Sequence, residues 1–314
     1  MLAITGFGCG QMPSTSNPVS PHKRLKIAIV TNNSSDWWTI SRKGAEKAAS
    51  ELGDVDIDFQ MLADGTAAAQ RKVVEDLLAR GVDGIMISPI DVDNQKQMLD
   101  EAAAKVPMFT LGADAPMSTR TAYVGTDDAA SGKMAGELVK SALPNGGKIM
   151  VFVGRRDAQN AIERLHGLKQ GLEGGNIEII DVRTDEADAA KAKSNAADTL
   201  SKYPDIAGLV GLWSYNTPAI LNAVRDAGKL DKVAIIGFDE EDQTLQGVKD
   251  GHIFGTVVQQ PFGFTLDAVK RMVLLIRGDK SQIPADKKAI FPTQKIQKDQ
   301  VDKYWEELRT LRGR

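Results

Sequence analysis

The chain has 314 residues, 42% apolar and 26% charged; this excludes a disordered or fibrous chain and, at about 150 residues per domain, suggests two globular domains. Its 39 basic and 42 acidic side chains give a formal charge of −3, which leaves no basic excess to hold a nucleic acid or an anionic membrane. With Cys9 as the lone cysteine, no disulfide can form within the chain.

The N-terminal segment carries Leu2-Ala3-Ile4, then Gly6-Phe7-Gly8-Cys9-Gly10, then a run rich in Gly, Ser, Pro and Asn from Gly10 to Pro21. Small residues before a cysteine and a flexible polar run after it resemble the acylation site and tether of a bacterial lipoprotein. On that reading residues 1–24 are a leader remnant and tether, and Cys9 is a lipid anchor. No other stretch is apolar over the roughly 18 residues that a membrane span needs.

From Leu25 onward, short apolar runs alternate with amphipathic stretches. The runs are Leu25 to Val30, Ile57 to Leu62, Gly84 to Ser88, Pro107 to Gly112, Ala122 to Gly125, Lys148 to Gly154, Ile177 to Val182, Gly208 to Trp213, Val233 to Asp239 and Gly255 to Gln259. Helical patterns lie between most of them, over Ser41 to Leu52, Ala67 to Arg80, Asn94 to Lys105, Asp128 to Leu143, Ala158 to Leu172 and Asp188 to Tyr203. Near-continuous Val/Ile/Leu strands separated by helices predict parallel sheets covered on both faces, an α/β, doubly wound architecture. So many strands divide most simply into two sheets, with a break near Thr126-Asp127. Thr217-Pro218 reads as a cap and first-turn proline before an Ile220/Leu221/Val224 face, with Gly228 after the helix end.

In open α/β sheets ligands bind at the carboxyl ends of strands, so the residues after each run are the informative ones. After the first strand comes Thr31-Asn32-Asn33-Ser34-Ser35-Asp36-Trp37-Trp38, read as a loop. It has no glycine to let backbone approach a phosphate; its two indoles among small polar side chains suit a ligand with a C–H face and hydroxyl groups. The other ends carry Ser88-Pro89-Ile90-Asp91, Gly112-Ala113-Asp114, Arg155-Arg156-Asp157, Trp213-Ser214-Tyr215-Asn216, Phe238-Asp239 and Gln259-Gln260-Pro261. Carboxylates, a guanidinium and amides together can satisfy a ring edged with hydroxyls, although each alone is an ordinary turn former or helix cap.

These segments together carry a specific resemblance. Ile27-Ala28-Ile29-Val30 through Trp38, Gly81-Val82-Asp83-Gly84-Ile85 through Pro89, Gly112 to Pro116, Val124 to Asp127, Glu163 to Gly167, Val233 to Asp239 and Thr256 to Pro261 resemble the type I periplasmic sugar-binding proteins of ABC importers, the ribose- and galactose-binding group. The resemblance runs from Leu25 to about Thr293. It implies two doubly wound lobes joined by three hinge crossings near Thr126, Gln260 and Pro292. The N-terminal lobe would hold residues 25–126 plus 260–291, and the C-terminal lobe 127–259 plus 292–314.

The resemblance also implies roles. Trp37 and Trp38 fall where the family stacks aromatic rings on the sugar, and Asn33 or Ser35 at its polar first-loop contact. Arg164 matches an arginine that grips ring and hydroxyl oxygens, Asp157 an aspartate of glucose and galactose binders, Asp239 the aspartate of a Gly-Phe-Asp motif, and Gln259 the amide at the crossover. Ser88 and Trp213 stand where asparagines are common, with Asn216 three residues after Trp213, and Asp114 is displaced two positions from an Asp-Arg pair of the ribose binders. The implied function is capture of a sugar or polyol by hinge closure outside the cytoplasm, in the periplasm or cell envelope. The partner would be an ABC permease in the inner membrane, or alternatively a chemoreceptor or membrane histidine kinase. A monomer is expected.

Against an enzyme, the three histidines His22, His166 and His252 form no metal-ligand spacing, and neither a nucleophile elbow nor a phosphate loop is present. No catalysis, metal or cofactor is expected. Against a transcriptional regulator of the same fold, the stretch before Leu25 carries no helix-turn-helix pattern.

Overall fold

The computed structural model describes residues 23–62 and 65–312. Cys9, the proposed lipid anchor, and nearly all of the proposed tether lie outside the described residues. The elements of the first half are β1 (Leu25–Val30), α1 (Asp36–Leu52), β2 (Val55–Gln60), α2 (Ala67–Ala79), β3 (Gly84–Ile87), α3 (Val92–Ala103), β4 (Met108–Leu111) and β5 (Ala122–Thr126). There follow α4 (Asp128–Ala142), β6 (Gly147–Val153), α5 (Gln159–Leu172), β7 (Ile177–Thr184), α6 (Ala189–Lys202), β8 (Ile206–Gly211), α7 (Asn216–Asp226), β9 (Ala234–Phe238), α8 (Asp242–Asp250) and β10 (Gly255–Val258). The chain ends with α9 (Pro261–Ile276), β11 (Lys288–Phe291), β12 (Gln294–Ile296) and α10 (Val301–Arg312).

Two six-stranded sheets result, in the orders β11-β5-β4-β3-β1-β2 and β12-β10-β9-β8-β6-β7. The first is parallel throughout; the second is parallel except for β12, which runs antiparallel to β10. The chain passes between the sheets after β5, after β10, and between β11 and β12. The architecture is therefore two doubly wound α/β lobes.

Alternation along β1 explains why both faces are covered. Ile27 and Ile29 pack with Ala45 and Ala48 of α1 and with Phe264, Ala268 and Met272 of α9. Ala28 and Val30 pack on the opposite face with Val74 and Leu77 of α2 and Met98 and Leu99 of α3. The second lobe repeats the pattern: Met150 and Phe152 face Leu200, Leu221 and Val224, while Ile149, Val151 and Val153 face Leu138 and Val139 of α4 and Leu168 of α5. Side chains alternate across a pleated strand, so a run apolar at every position is buried on both sides.

Helices α4 and α5 approach unusually closely because glycines line their contact. A Cβ at Gly132 would stand 2.1 Å from the Arg164 carbonyl oxygen, and one at Gly167 would stand 1.9 Å from that of Ala129. Gly136 and Gly171, one turn further on, are as tightly placed. Only hydrogen fits between these backbones.

Three sequence expectations are corrected. Trp37 and Trp38 belong to the first turn of α1, since extended Ser35 is its N-cap, and not to a loop. Thr217 is not the cap of α7: that helix starts at Asn216, and Thr217 Oγ1 instead accepts the Phe238 N–H at the end of β9. The short strands β11 and β12 and the helix α10 were not anticipated, because Lys288–Phe291 offers only three apolar residues in a row, Gln294–Ile296 has a single one, and the apolar and aromatic residues of α10 are scattered among charged ones.

Candidate ligand-binding cleft

A cleft of about 380 Å³, counting its mouth, lies between the carboxyl ends of the two sheets. From the first lobe it is lined by Asn32, Asn33, Ser35, Trp37, Trp38, Ser88 and Gly112; from the second by Asn160, Arg164, Trp213, Ser214 and Asp239; and from the second crossing by Gln259.

The first-lobe wall is neutral and held by its own polar network. Thr31 Oγ1 donates to the Asn33 carbonyl at 2.7 Å, and Asn33 Oδ1 accepts the Ser35 N–H at 2.9 Å, which fixes the turn into α1. Gln70 Nε2 donates to the carbonyls of Thr31 and Ser88 at 2.9 and 2.7 Å, tying the ends of β1 and β3 together and setting Ser88. Trp38 is fully buried, its indole N–H donating to Asn32 Oδ1 at 2.9 Å, and its ring stands edge-on to Trp37 with centroids 4.6 Å apart. Trp38 thus backs Trp37. At the end of β4, Gly112 has φ 73°, and a Cβ there would come within 3.0 Å of the Trp37 ring. That left-handed position and close approach together require glycine.

The second-lobe wall carries the charges. Arg164 projects from α5 and is almost fully buried: Nε donates to Asp128 Oδ1 and Nη1 to the Leu212 carbonyl, both at 2.7 Å, and the guanidinium lies 4.5 Å over the Phe238 ring. The position of Asp128 follows from α4, where Asp127 caps the helix through the Ala130 N–H and leaves Asp128 in the first turn beside α5. Burial pushes the Asp128 carboxyl up to about 7, against the pull of Arg164. Asp239 directly follows β9 with φ 64°; its Oδ1 accepts Gln259 Nε2 at 2.7 Å, and Gln259 Oε1 accepts Thr126 Oγ1 at 3.1 Å. One amide therefore connects the second-lobe carboxylate to the first crossing. Burial raises the Asp239 carboxyl, while Arg164 and Gln259 oppose the rise.

Trp213 stacks behind its own support. A Cβ at Gly154 would meet the Trp213 ring at 2.1 Å, and Tyr215 stands edge-on to it at 6.3 Å. Asn216 Oδ1 accepts the Trp213 backbone N–H at 3.0 Å, its Nδ2 donates to Asp185 Oδ2 at 2.8 Å, and Asp185 also accepts the Tyr215 hydroxyl. Burial pushes Asp185 up to about 6.

Four buried polar atoms of the cleft have no hydrogen-bond partner among the described residues: Trp37 Nε1, Ser88 Oγ, Asn160 Oδ1 and Trp213 Nε1. They come from both lobes and comprise two donors, a hydroxyl and an amide acceptor. Buried polar groups are normally paired, so orphans gathered around one cavity mark it as shaped for a polar guest.

Nine of the twelve residues singled out in the sequence line this cleft, and three do not. Asp114 is committed to Arg120, which grips both its oxygens, and also accepts from Thr110 Oγ1 and the Ala115 N–H; it braces the β4–β5 connection, and Gly112 faces the cleft instead. Asp157 is exposed outside the cleft lining, where Arg155 holds it at 3.0 Å. Asn216 is fully buried behind Trp213. The reading overlooked Asn32, Gly112, Asn160 and Ser214 as lining residues. Asn160 was legible: it sits one helical turn before Arg164, so both share a face of α5.

Among the described residues no group of His, Cys, Asp and Glu could hold a metal ion, and no helix is long and apolar enough to cross a membrane.

Comparison with known proteins agrees with this geometry. Residues 27–280 match the family model described as a periplasmic binding protein domain. The ribose import binding protein RbsB of Salmonella typhimurium is 27% identical over 273 residues, covering 84% of this chain and 90% of that protein. Among solved structures, an ABC transporter solute-binding protein from Burkholderia graminis in complex with D-arabinose is 28% identical with a TM-score of 0.83, covering 88% of this chain and 96% of the other. GanP, a glucose-galactose binding protein from Geobacillus stearothermophilus, is 26% identical with a TM-score of 0.82, covering 88% and 98%. These are binding and transport proteins, not enzymes, and the chain belongs to their family, the periplasmic binding proteins, in its two-lobed type I form.

Proposed function

We propose that the protein captures a neutral sugar or polyol in this cleft by closure of the lobes about the three crossings, and delivers it to an ABC import permease from the periplasm or cell envelope. The observation that carries the reading is the convergence of Trp37 Nε1, Ser88 Oγ, Asn160 Oδ1 and Trp213 Nε1, all unpartnered, beside the Arg164 and Asp239 charges. Donors, acceptors and indole faces in that mixture match the edge and faces of a hydroxylated ring. In this reading Asn33, Ser35, Trp37, Trp38 and Ser88 hold one side of the guest, and Arg164, Trp213, Asp239 and Gln259 the other. Closure is favoured because the guest contacts both sides only when they meet. The ribose, arabinose and glucose-galactose ligands named for its relatives support the sugar class.

A second role for the closed form is presentation to a sensor protein. It is favoured by the solved XylFII–LytSN complex, 25% identical with a TM-score of 0.81, in which a relative is held against another protein.

A thermal-shift panel of pentoses, hexoses and polyols tests the reading. A true ligand at 100 times its dissociation constant stabilises the fold by roughly 2.7 kcal/mol. An unchanged melting temperature across the whole panel overturns it.

A further inference from the structure

We propose that Ile40 is an interlobe latch, a first-lobe side chain seated in the core of the second lobe, which draws the lobes together before a guest arrives and so sets the affinity for any guest. The inference rests on the lobe closure proposed above, and it concerns a residue outside the cleft lining.

The placement of Ile40 sets it apart from its own helix. The other apolar side chains buried on α1, namely Trp37, Trp38, Ala45 and Ala48, belong to the first-lobe core. Ile40 is 1% exposed and belongs instead to a core whose other buried members all come from the second lobe. Helix α1 packs against α10, and Ile40 shares with Tyr304 and Leu308 of α10 the wall of a hinge cavity of about 680 Å³, counting its mouth. The cavity leaves a gap beside this contact, so the apolar bridge between the lobes falls on few side chains.

Both partners are held to their own lobe. Helix α1 is pressed against the start of α9: a Cβ at Gly44, one turn beyond Ile40, would collide with the Phe262 carbonyl oxygen, and Ser41 Oγ and Thr265 Oγ1 hydrogen-bond at 2.8 Å. Helix α10 is tied to the loop after β9 by Arg312 Nη2, which donates to the Glu240 carbonyl at 2.9 Å, and its Val301 and Leu308 are buried in the second-lobe core. A side chain fixed to one body and covered by the other loses its cover when the bodies part. Exposing it to water is unfavourable in proportion to its apolar area, so the contact biases the lobes towards closure. Apparent affinity then scales with the fraction of chains already closed, whichever sugar is offered.

Small-angle X-ray scattering from the full chain without sugar tests the proposal. Ile40→Ala is expected to raise the radius of gyration above that of the wild type at unchanged circular dichroism, and the milder Ile40→Val to raise it less. In calorimetry, Ile40→Ala should weaken every sugar that binds by one common factor, roughly tenfold, and leave their ranking unchanged. Tyr304→Ala, which strips the opposite wall, should act in the same direction, and its effect should shrink in an Ile40→Ala background. An unchanged radius in both Ile40 variants overturns the proposal, as does a loss of affinity that differs from sugar to sugar. The scattering needs no guest: a chain that binds no sugar defeats the capture reading, while the radius still decides the latch.

Discussion

Arg164 Nε donates to Asp128 Oδ1 at 2.7 Å across the α4–α5 contact, and neither side chain is more than 3% exposed. The pair lies within one lobe, so the guanidinium is held in place whether or not the lobes meet. Breaking a buried pair by removing one partner leaves the other uncompensated and costs about 3–5 kcal/mol. Asp128→Ala is therefore expected to lower unfolding free energy by about that amount in urea titration, and Arg164→Ala to do the same. Arg164→Ala should also weaken sugar binding by about 2 kcal/mol or more.

Asp239 makes a separate prediction, because its partner Gln259 reaches back to Thr126 at the first crossing. Asp239→Ala removes the cleft carboxylate and leaves that amide half-satisfied. Calorimetry with whichever sugar the panel identifies should show a loss of about 2 kcal/mol or more. Retained affinity would place the guest elsewhere.

Trp213 contributes both a ring face and an unpartnered N–H. Trp213→Phe keeps the aromatic packing over Gly154 and deletes the donor, so sugar affinity should fall by about 1–2 kcal/mol, roughly tenfold. Wild-type tryptophan emission should change on sugar addition, since three indoles line the cleft; a silent spectrum would contradict their placement.

The glycine contact of α4 and α5 predicts a stability effect. Gly167→Ala drives a methyl group to 1.9 Å from the Ala129 carbonyl oxygen, and the helices must separate. A loss of about 3 kcal/mol is expected in urea unfolding.

Asp185 gives a pH dependence with a defined sign. Its folded carboxyl, raised to about 6 from the ordinary 3.8, binds a proton more tightly than in the unfolded chain. Its contribution is fully present below about pH 4 and is lost as pH rises through about 6. The unfolding free energy of the wild type should therefore fall relative to Asp185→Asn between those values and then level off. A difference that is flat with pH would show the carboxyl to be unperturbed.

Much of this was readable from the chain because parallel strands covered on both faces leave near-continuous apolar runs, and strand ends then point to the cleft. Trp37, Asp239 and Gln259 were pointed to that way, whereas Arg164, in the middle of α5, was reached only through the family resemblance. Asp157 and Asp114 were misplaced because a polar residue just after a strand can turn outward or fold back on a nearby arginine, and Arg155 and Arg120 decide which. Ser214 and Asn32 were missed since small polar residues look alike in a turn. The edge strands β11 and β12 were hidden by their mixed composition; only the sheet they join makes them strands.

The interlocked glycine helices also bear on how the second lobe is prepared for a guest. A positive group bolted to a neighbouring helix needs no rearrangement before a guest arrives, so the half that carries it is a finished mould.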